Sequence, residues 1–250
     1  QFVEKHLGGT AVYFSGTLGC QIGSNSSALV PLWNKNFEQV LDAQGSPILI
    51  SERNWDKARS IGYEVGSEAV KSLLSAPIQS QAEVAIKTDS VDIRVDNFIH
   101  VLATQNVWYS DVQPQDQMVH YGKRCLNLLG CVRTDISVAR IGDLSLVTLP
   151  GEIDPAYFLG RAESIGDYGK FGKHFFPAMP AIADSMSGQH KAILGQANNY
   201  LSYLVHRPDN IGWKNFKHPL HYEELVTVGK GFGDDAANKL MQMLGAAERF

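Results

Sequence analysis

The stretch VARIGDLSLVTLPGEIDPAYFLGRA, residues 138–162, carries the clearest fold signal in the chain. Two apolar runs flank Gly142-Asp143, a typical tight-turn pair, so the sequence predicts a β-hairpin over residues 136–149. Residues 144–149 are nearly all apolar, which is typical of a strand covered on both faces. We therefore expect an interior strand, and the loop at the end of such a strand is a common place for reactive side chains.

That strand runs directly into Pro150, Gly151 and Glu152. Proline and glycine suffice to make a turn, so the carboxylate needs an explanation of its own. One interpretation is that Glu152 is a ligand. The other is that Glu152 and Asp154 favour the N-terminus of a helix starting near Pro155, a preference of about 0.3–1 kcal/mol. The stretch taken alone favours the second interpretation.

The rest of the chain mixes helix and strand patterns, which predicts an α/β fold class with a mixed β-sheet and flanking helices. Strand-like runs occupy residues 10–15, 47–50, 84–86 and 91–95. Residues 52–75 predict an amphipathic helix with Ser51 as N-cap, whose apolar stripe consists of Trp55, Ala58, Gly62, Val65, Ala69 and Leu73. Asp234 and Asp235 open a final helix with a core-facing stripe of Leu240, Met243, Leu244 and Ala247. Without internal repeats or linkers, a single folded unit is the simplest prediction.

Composition excludes several classes of protein. The 250 residues are 44% hydrophobic and 19% charged with a net charge of −4, as in an ordinary globular protein. Because the chain lacks a run rich in Lys and Arg, nucleic acid is excluded as the main partner. Its apolar runs are strand-sized and fall short of the roughly 20 residues that a membrane-spanning helix needs, so no transmembrane segment is expected.

The N-terminus and the cysteines suggest a compartment. The chain begins at Gln1 without a signal-peptide pattern, as expected of a processed end. Cys125 and Cys131 are close enough in sequence to bridge a short loop, with free thiols as the equal alternative. Asn25-Ser26-Ser27 is a glycosylation sequon, although such triplets also arise by chance. We expect a secreted, periplasmic or cell-surface protein.

Three ordered motifs resemble a known family: VARIGDLSLVTLPGE at residues 138–152, GQANNYLSYLVHRPD at 195–209, and HYEE at 221–224. In this order they resemble the C-terminal part of the catalytic domain of neutral/alkaline (non-lysosomal) ceramidases. GGTAVYFSGTLGCQIGS at 8–24 and IRVDNFIHVLATQNVWY at 93–109 extend the likeness over most of the chain. The resemblance implies that residues 1–250 are the C-terminal portion of one ceramidase-like catalytic domain.

The resemblance also implies a zinc-dependent hydrolase that cleaves the amide of an N-acyl lipid or a related linear amide. In the family, two histidines, the Glu of Pro-Gly-Glu and a Tyr of Asn-x-Tyr-x-x-Tyr hold the zinc. Carried over, Glu152 and Tyr203 are the metal ligands and Tyr222 donates a hydrogen bond to the oxyanion. The substrate amide would be bound at the glycine loop, by Gly19, Cys20 and Gln21.

Two departures from the family pattern bear on this expectation. The family's zinc histidines have no counterpart here, so they would have to come from an upstream segment or a partner chain. His218 and His221 offer a substitute, but a proline between them prevents the i, i+4 helical geometry of zincin motifs. The family's Gly-Asp-x-Ser-Pro loop reads Gly-Cys-Gln-Ile-Gly at residues 19–23, and Ile22 has no hydroxyl. Cys20 as a nucleophile lacks an adjacent base, and a small buried residue is the commoner role.

Two functions therefore remain open at this point. The first is the zinc-dependent amidase. The second is a non-catalytic structural or binding subunit of an extracellular assembly that retains the fold. The sequence favours the first, because Pro-Gly-Glu, Tyr203 and Tyr222 all persist although the fold alone does not need them.

Overall fold

The computed structural model describes residues 1–19, 28–77, 81–97, 119–120, 131–211 and 221–246. The chain divides into two compact units, the first formed by residues 1–13 and 22–80 and the second by residues 14–21 and 81–250. The predicted fold class is confirmed: the structure is mixed α/β, with a mixed multi-strand sheet and flanking helices. The assignment of the whole chain to one catalytic domain stays a prediction.

The first unit contains two helices and a small sheet. Helix α1 is Phe2–Leu7 and helix α2 is Trp55–Ser75. Strands β1 (Val30–Pro31) and β2 (Leu49–Ile50) pair antiparallel, and β2 falls within the predicted run at 47–50. Aromatic and apolar side chains form its core, with Phe2, Trp33 and Val70 buried.

Helix α2 begins later than the sequence pattern suggests. Its N-cap is Asn54, whose side chain accepts a hydrogen bond from the Lys57 backbone N–H at 2.9 Å. The prediction of Ser51 as N-cap is wrong, because Asn54 already satisfies a free donor of the first turn.

The predicted apolar stripe of α2 is mostly exposed, and Trp55 is 88% exposed. The buried side of the helix instead contains Lys57, Ser60, Gly66 and Val70. Gly66 lies directly against the Phe2 side chain, and Ser60 Oγ accepts a hydrogen bond from the Trp33 N–H at 3.0 Å. Small residues let aromatic groups approach the helix closely, so shape outweighs hydropathy here.

The second unit is built on a five-stranded sheet in which β10, β6, β5 and β3 are neighbours in this order, and β4 also pairs with β5. Strand β5 runs antiparallel to β3, β4 and β6, while β10 runs parallel to β6. The bounds are β3 Val84–Arg94, β4 Val119–His120, β5 Cys131–Ile141, β6 Leu144–Thr148 and β10 His190–Leu194. The predicted hairpin and its Gly142 turn are confirmed, and β6 is interior because it lies between β5 and β10. The two strands predicted at 84–86 and 91–95 form one continuous strand.

Smaller elements complete this unit. Strands β7 (Glu152–Ile153) and β11 (Tyr203–Leu204) pair parallel, and β8 (Ser164–Asp167) pairs antiparallel with β9 (Lys173–Phe176). The helices are α3 Pro155–Leu159, α4 Tyr222–Val226 and α5 Phe232–Met243, with short 3-10 turns at Gly169–Phe171, Ile182–Ser185 and Arg207–Asp209. Helix α5 packs on β3 and β5. The core includes Ile93, Ile136, Val147, Leu149, Tyr157, Phe232 and Leu240.

The last helix agrees with its prediction. Asp234 and Asp235 lie in the first turn of α5, Leu240 is fully buried, and Met243 and Leu244 pack against the core. Ala247 lies outside the described residues.

The strand predicted at residues 10–15 is wrong. This segment has no regular secondary structure, and Val12, Tyr13 and Phe14 are largely exposed. Ser15 does accept a hydrogen bond from the Gly195 N–H at 3.0 Å. A run of apolar residues with high β propensity becomes a strand only where a neighbouring strand supplies hydrogen bonds along its length. Among the described residues, no strand pairs with this segment.

The structure describes the predicted disulfide only in part and the predicted sequon not at all. Cys131 is buried and disulfide-bonded, whereas Cys125 and the sequon at 25–27 lie outside the described residues.

Among the helices that the structure describes, none is both long enough and apolar enough to cross a membrane.

Candidate functional site

The parallel pairing of β7 with β11 sets Glu152 beside Tyr203. These two residues are register partners, followed by Ile153 and Leu204. The Glu152 N–H donates to the Ser202 carbonyl at 2.9 Å, so the backbone also joins the two segments. Glu152 thus follows the interior strand β6 and meets a segment from later in the chain.

A phenol donates a hydrogen bond to the Glu152 carboxylate, and a second phenol lies beside it. The Tyr200 hydroxyl lies 2.9 Å from Glu152 Oε1 and donates to it, and Tyr203 is the register partner of Glu152. Glu152 is half-buried, Tyr203 is 3% exposed and Tyr200 is 55% exposed. The acid therefore has specific partners and is not a solvated loop residue.

The helix-capping interpretation holds for Asp154 and not for Glu152. Asp154 Oδ1 accepts a hydrogen bond from the Ala156 N–H at 2.8 Å, and Pro155 begins α3. Burial raises the pKa of the Asp154 carboxyl, and the hydrogen bond from Ala156 opposes that rise. The two neighbouring acids thus have separate roles, because only the second reaches the helix end.

The environment of Tyr203 favours its neutral phenol. Burial raises the pKa of Tyr203 well above its usual value, and the hydrogen bond to Glu152 and the negative charge of that carboxylate raise it further. The phenol is therefore protonated and a hydrogen-bond donor at neutral pH. A metal ion would have to displace that proton before the phenolate oxygen could bind.

Tyr222 lies next to Tyr203, an arrangement that the family resemblance implies. Their ring centroids are 5.7 Å apart in an edge-to-face contact, and Tyr222 is 62% exposed. Thr227, just past the end of α4, donates its hydroxyl hydrogen to the Tyr203 carbonyl at 2.8 Å. Buried Glu224 accepts from the Ile211 N–H at 3.0 Å and so also fixes α4. The structure brings Glu152, Tyr203 and Tyr222 together, while their chemical roles stay predictions.

A cleft of about 150 Å³ adjoins these residues. Arg161 binds Asp209 through two hydrogen bonds, Nη1 to Oδ2 at 2.6 Å and Nη2 to Oδ1 at 3.0 Å, and its guanidinium lies over Phe176. Carboxylates outnumber cations in the lining, which includes Gly19, Glu152, Asp154, Arg161, Tyr168, Phe176, Tyr203, Asp209, His221, Glu223 and Glu224.

The predicted substrate loop is described only in part. Gly19 lines the cleft, and its N–H donates to the Ile153 carbonyl at 2.9 Å. Cys20 and Gln21 lie outside the described residues, as does His218. His221 lines the cleft and packs edge-on against Tyr168 at 5.7 Å between ring centroids.

The sequence reasoning missed several residues of the site. Tyr200 and Asp209 lie inside the 195–209 motif, which assigns no role to either, and Arg161 lies two residues beyond the end of α3. The spacing of Tyr200 and Tyr203 could have indicated a shared site, because the two residues are three apart in one segment and both lie beside Glu152. Nothing local indicated that Arg161 pairs with Asp209, because the two come from separate segments.

Gly19 and Gly16 provide a matched test of how closely this loop packs. A Cβ on Gly19 would lie 2.7 Å from the Ile153 carbonyl carbon and 2.8 Å from the Asp154 nitrogen. A Cβ on Gly16 would have its nearest neighbour, the Ile193 carbonyl oxygen, at an ordinary 3.7 Å. We expect Gly19→Ala to lower the free energy of unfolding by about 1–3 kcal/mol, and Gly16→Ala to change it by less than about 0.5 kcal/mol. Urea denaturation of both variants measures this, and equal effects would contradict the close packing.

The oxygen donors of Glu152 and Tyr203 fit part of a zinc site. Zinc binds carboxylate oxygen at about 2.0–2.2 Å, and catalytic sites usually have three protein ligands and one open position. Glu152 and Tyr203 bring two oxygen donors together. Within the described ranges, no group of three or more His, Cys, Asp or Glu residues is arranged to hold a metal ion. A complete site with three protein ligands would need a further ligand beside Glu152 and Tyr203.

The chain matches no protein-family model and no curated protein.

Proposed function

We propose that the chain is the C-terminal part of a zinc-dependent, ceramidase-like hydrolase that cleaves the amide of an N-acyl lipid or a related linear amide. The observation that carries the proposal is the register pairing of Glu152 with Tyr203, with Tyr222 against the Tyr203 ring. These three residues are the ones that the motif resemblance assigns to one site, and they come from three separate segments. A secreted, periplasmic or cell-surface location belongs to the same proposal.

In this proposal Glu152 and Tyr203 hold the metal from β7 and β11. Bound zinc would supply a water molecule whose pKa is lowered to about 7. Glu152 would supply a carboxylate oxygen to the metal, and Tyr203 would supply its phenolate oxygen. Tyr222, exposed at the start of α4, would donate its hydroxyl hydrogen to an oxyanion. The proposal assigns binding of the substrate amide to Gly19, Cys20 and Gln21.

The remaining ligands are assigned to histidines of an upstream segment or a partner chain. The exposed apolar stripe of α2 supports such a partner, since large exposed apolar surfaces commonly mark contacts with another polypeptide. Trp55, Val65 and Leu73 are more than half exposed. The site and this stripe belong to different compact units, so the stripe supports assembly and not the ligand geometry.

A non-catalytic binding or structural subunit is the second candidate. The specific observation in its favour is that Glu152 already accepts a hydrogen bond from Tyr200, with the neutral phenol of Tyr203 beside it. A half-buried carboxylate with such a donor is satisfied without a cation. The same arrangement could therefore persist in a protein that has lost catalysis.

Metal analysis of the natively purified protein, beside a hydrolysis assay, separates the two candidates. We expect stoichiometric zinc and release of fatty acid from a short-chain N-acyl sphingosine, with activity lost on chelation and restored by added zinc. Intact-mass analysis of the same sample identifies any accompanying polypeptide that carries histidines. If those histidines are present while metal and amide cleavage are both absent, the hydrolase proposal is wrong and the binding role replaces it.

A further inference from the structure

We infer that Tyr200 is a positioning residue, which holds the Glu152 carboxylate in the orientation needed for metal binding. This inference rests on the proposed function and adds a residue to which the motif resemblance assigns no role. Its starting point is the 2.9 Å hydrogen bond from the Tyr200 hydroxyl to Glu152 Oε1.

The 195–202 segment that carries Tyr200 is bonded along the Pro-Gly-Glu turn. The Gln196 N–H donates to the Gly151 carbonyl at 2.9 Å, and the Leu201 N–H donates to the Pro150 carbonyl at 2.8 Å. At its end, the Ser202 carbonyl accepts from the Glu152 N–H. Tyr200 and Glu152 are therefore held by backbone contacts on both sides of the hydrogen bond that joins them.

Side chains of the same segment attach it to β5. Asn198 Nδ2 donates to the Asp135 carbonyl at 3.0 Å, and Asn199 Nδ2 donates to Thr134 Oγ1 at 2.8 Å. Three residues of the segment have left-handed backbones, with φ of 54° at Gln196, 67° at Asn198 and 72° at Ser202. Such conformations are uncommon for residues other than glycine and persist where the surroundings fix them. The segment therefore holds Tyr200 in a fixed position.

The exposure of Tyr200 distinguishes a positioning role from a role in core packing. Tyr200 is 55% exposed, so little apolar burial depends on its ring. In the proposed site Tyr200 would orient the carboxylate by its hydrogen bond, while Tyr203, the register partner of Glu152, would be the second ligand. Hydrogen bonds to a ligating carboxylate from a neighbouring residue are a general way to fix its orientation.

Tyr200→Phe tests the inference, because it removes only the hydroxyl. The natively purified protein and the variant are titrated with zinc chloride by calorimetry after chelation, and the visible spectrum of the cobalt(II) form reports the ligand geometry. We expect zinc affinity to fall about 10- to 100-fold and the cobalt spectrum to shift, with an unchanged urea midpoint of the metal-free protein. Tyr13→Phe, at a side chain that is 79% exposed, is the matched control and should leave all three readouts unchanged.

The outcomes distinguish this inference from the proposed function. If the wild type binds zinc and cleaves the amide while Tyr200→Phe keeps its zinc affinity within about threefold and its cobalt spectrum, the inference is overturned and the function stands. A lowered urea midpoint with unchanged metal binding would make Tyr200 structural and also overturn it. If the wild type itself binds no zinc, the proposed function fails and the inference fails with it.

Discussion

If Glu152 is the zinc ligand we propose, Glu152→Gln should weaken zinc binding by at least about 100-fold, because replacing a direct ligand costs no less than the 10- to 100-fold seen for residues behind the ligands. Amide hydrolysis should be lost with the metal. The amide oxygen of Gln can still accept the hydrogen bond from Tyr200, and the backbone pairing of β7 with β11 does not involve the side chain, so both should survive. Zinc titration, hydrolysis and circular dichroism of the purified variant together measure these three effects.

Glu223→Gln is the matched control for charge. Glu223 is half-buried and lines the same cleft, yet it lies on α4 and is not one of the register-paired residues of β7 and β11. The Glu223→Gln substitution removes one negative charge from the cleft, as Glu152→Gln does, but it removes no proposed ligand. Zinc affinity should therefore change by no more than about tenfold. Equal losses in both variants would mean that the cleft attracts zinc by its overall charge, and equal activity of Glu152→Gln and wild type would exclude Glu152 as a ligand.

The elements that could be predicted are those whose signals are local. The β5–β6 hairpin follows from two apolar runs around Gly142, and the covered strand β6 follows from its continuous apolarity. Strand β3 was predicted as two pieces because Thr88, Asp89 and Ser90 are polar. In the structure Thr88 and Ser90 bond to Ser137 and Asp135 on β5, at 2.9 and 2.7 Å, so side-chain hydrogen bonds continue the strand through its polar centre.

The features that the sequence predicted wrongly share a different physical cause. Hydropathy identified α2 as a helix but not its packed side, because the close approach of Phe2 to Gly66 depends on shape. The run at 10–15 has β-forming residues, but strand formation also depends on a neighbour that local sequence does not reveal.

For the candidate site, the motif resemblance brought Glu152, Tyr203 and Tyr222 together, whereas spacing alone could not. Their proximity depends on a parallel pairing between segments that are far apart in the chain. Tyr200 was missed because an exposed tyrosine has an ordinary explanation until its hydroxyl is seen beside Glu152. Local chemistry thus indicated candidate groups, and only the tertiary structure selected which of them meet.

A buried polar network beneath the site is expected to carry the largest stability effect in the second unit. Asp234 is 4% exposed, and its Oδ1 lies 2.7 Å from both the Tyr157 hydroxyl and His206 Nδ1. Its Oδ2 accepts from the Arg207 N–H at 3.2 Å. His206 and Arg207 closely follow β11, so this carboxylate fixes the chain just beyond Tyr203.

Asp234→Ala should therefore lower the free energy of unfolding by about 3–5 kcal/mol, the cost of breaking a buried polar pair by removing one partner. Three donors would lose this acceptor at a place that water does not reach readily. Asp235→Ala is the matched control on the next residue, since Asp235 is partly exposed and pairs only loosely with Arg207 Nη2 at 3.5 Å. Its cost should stay below about 1 kcal/mol. Urea denaturation, followed by hydrogen exchange to locate the destabilised amides, measures both. We expect the loss of protection to be concentrated in β11 and α5, and similar stability of the two variants would show that Asp234 does not hold this end of the site.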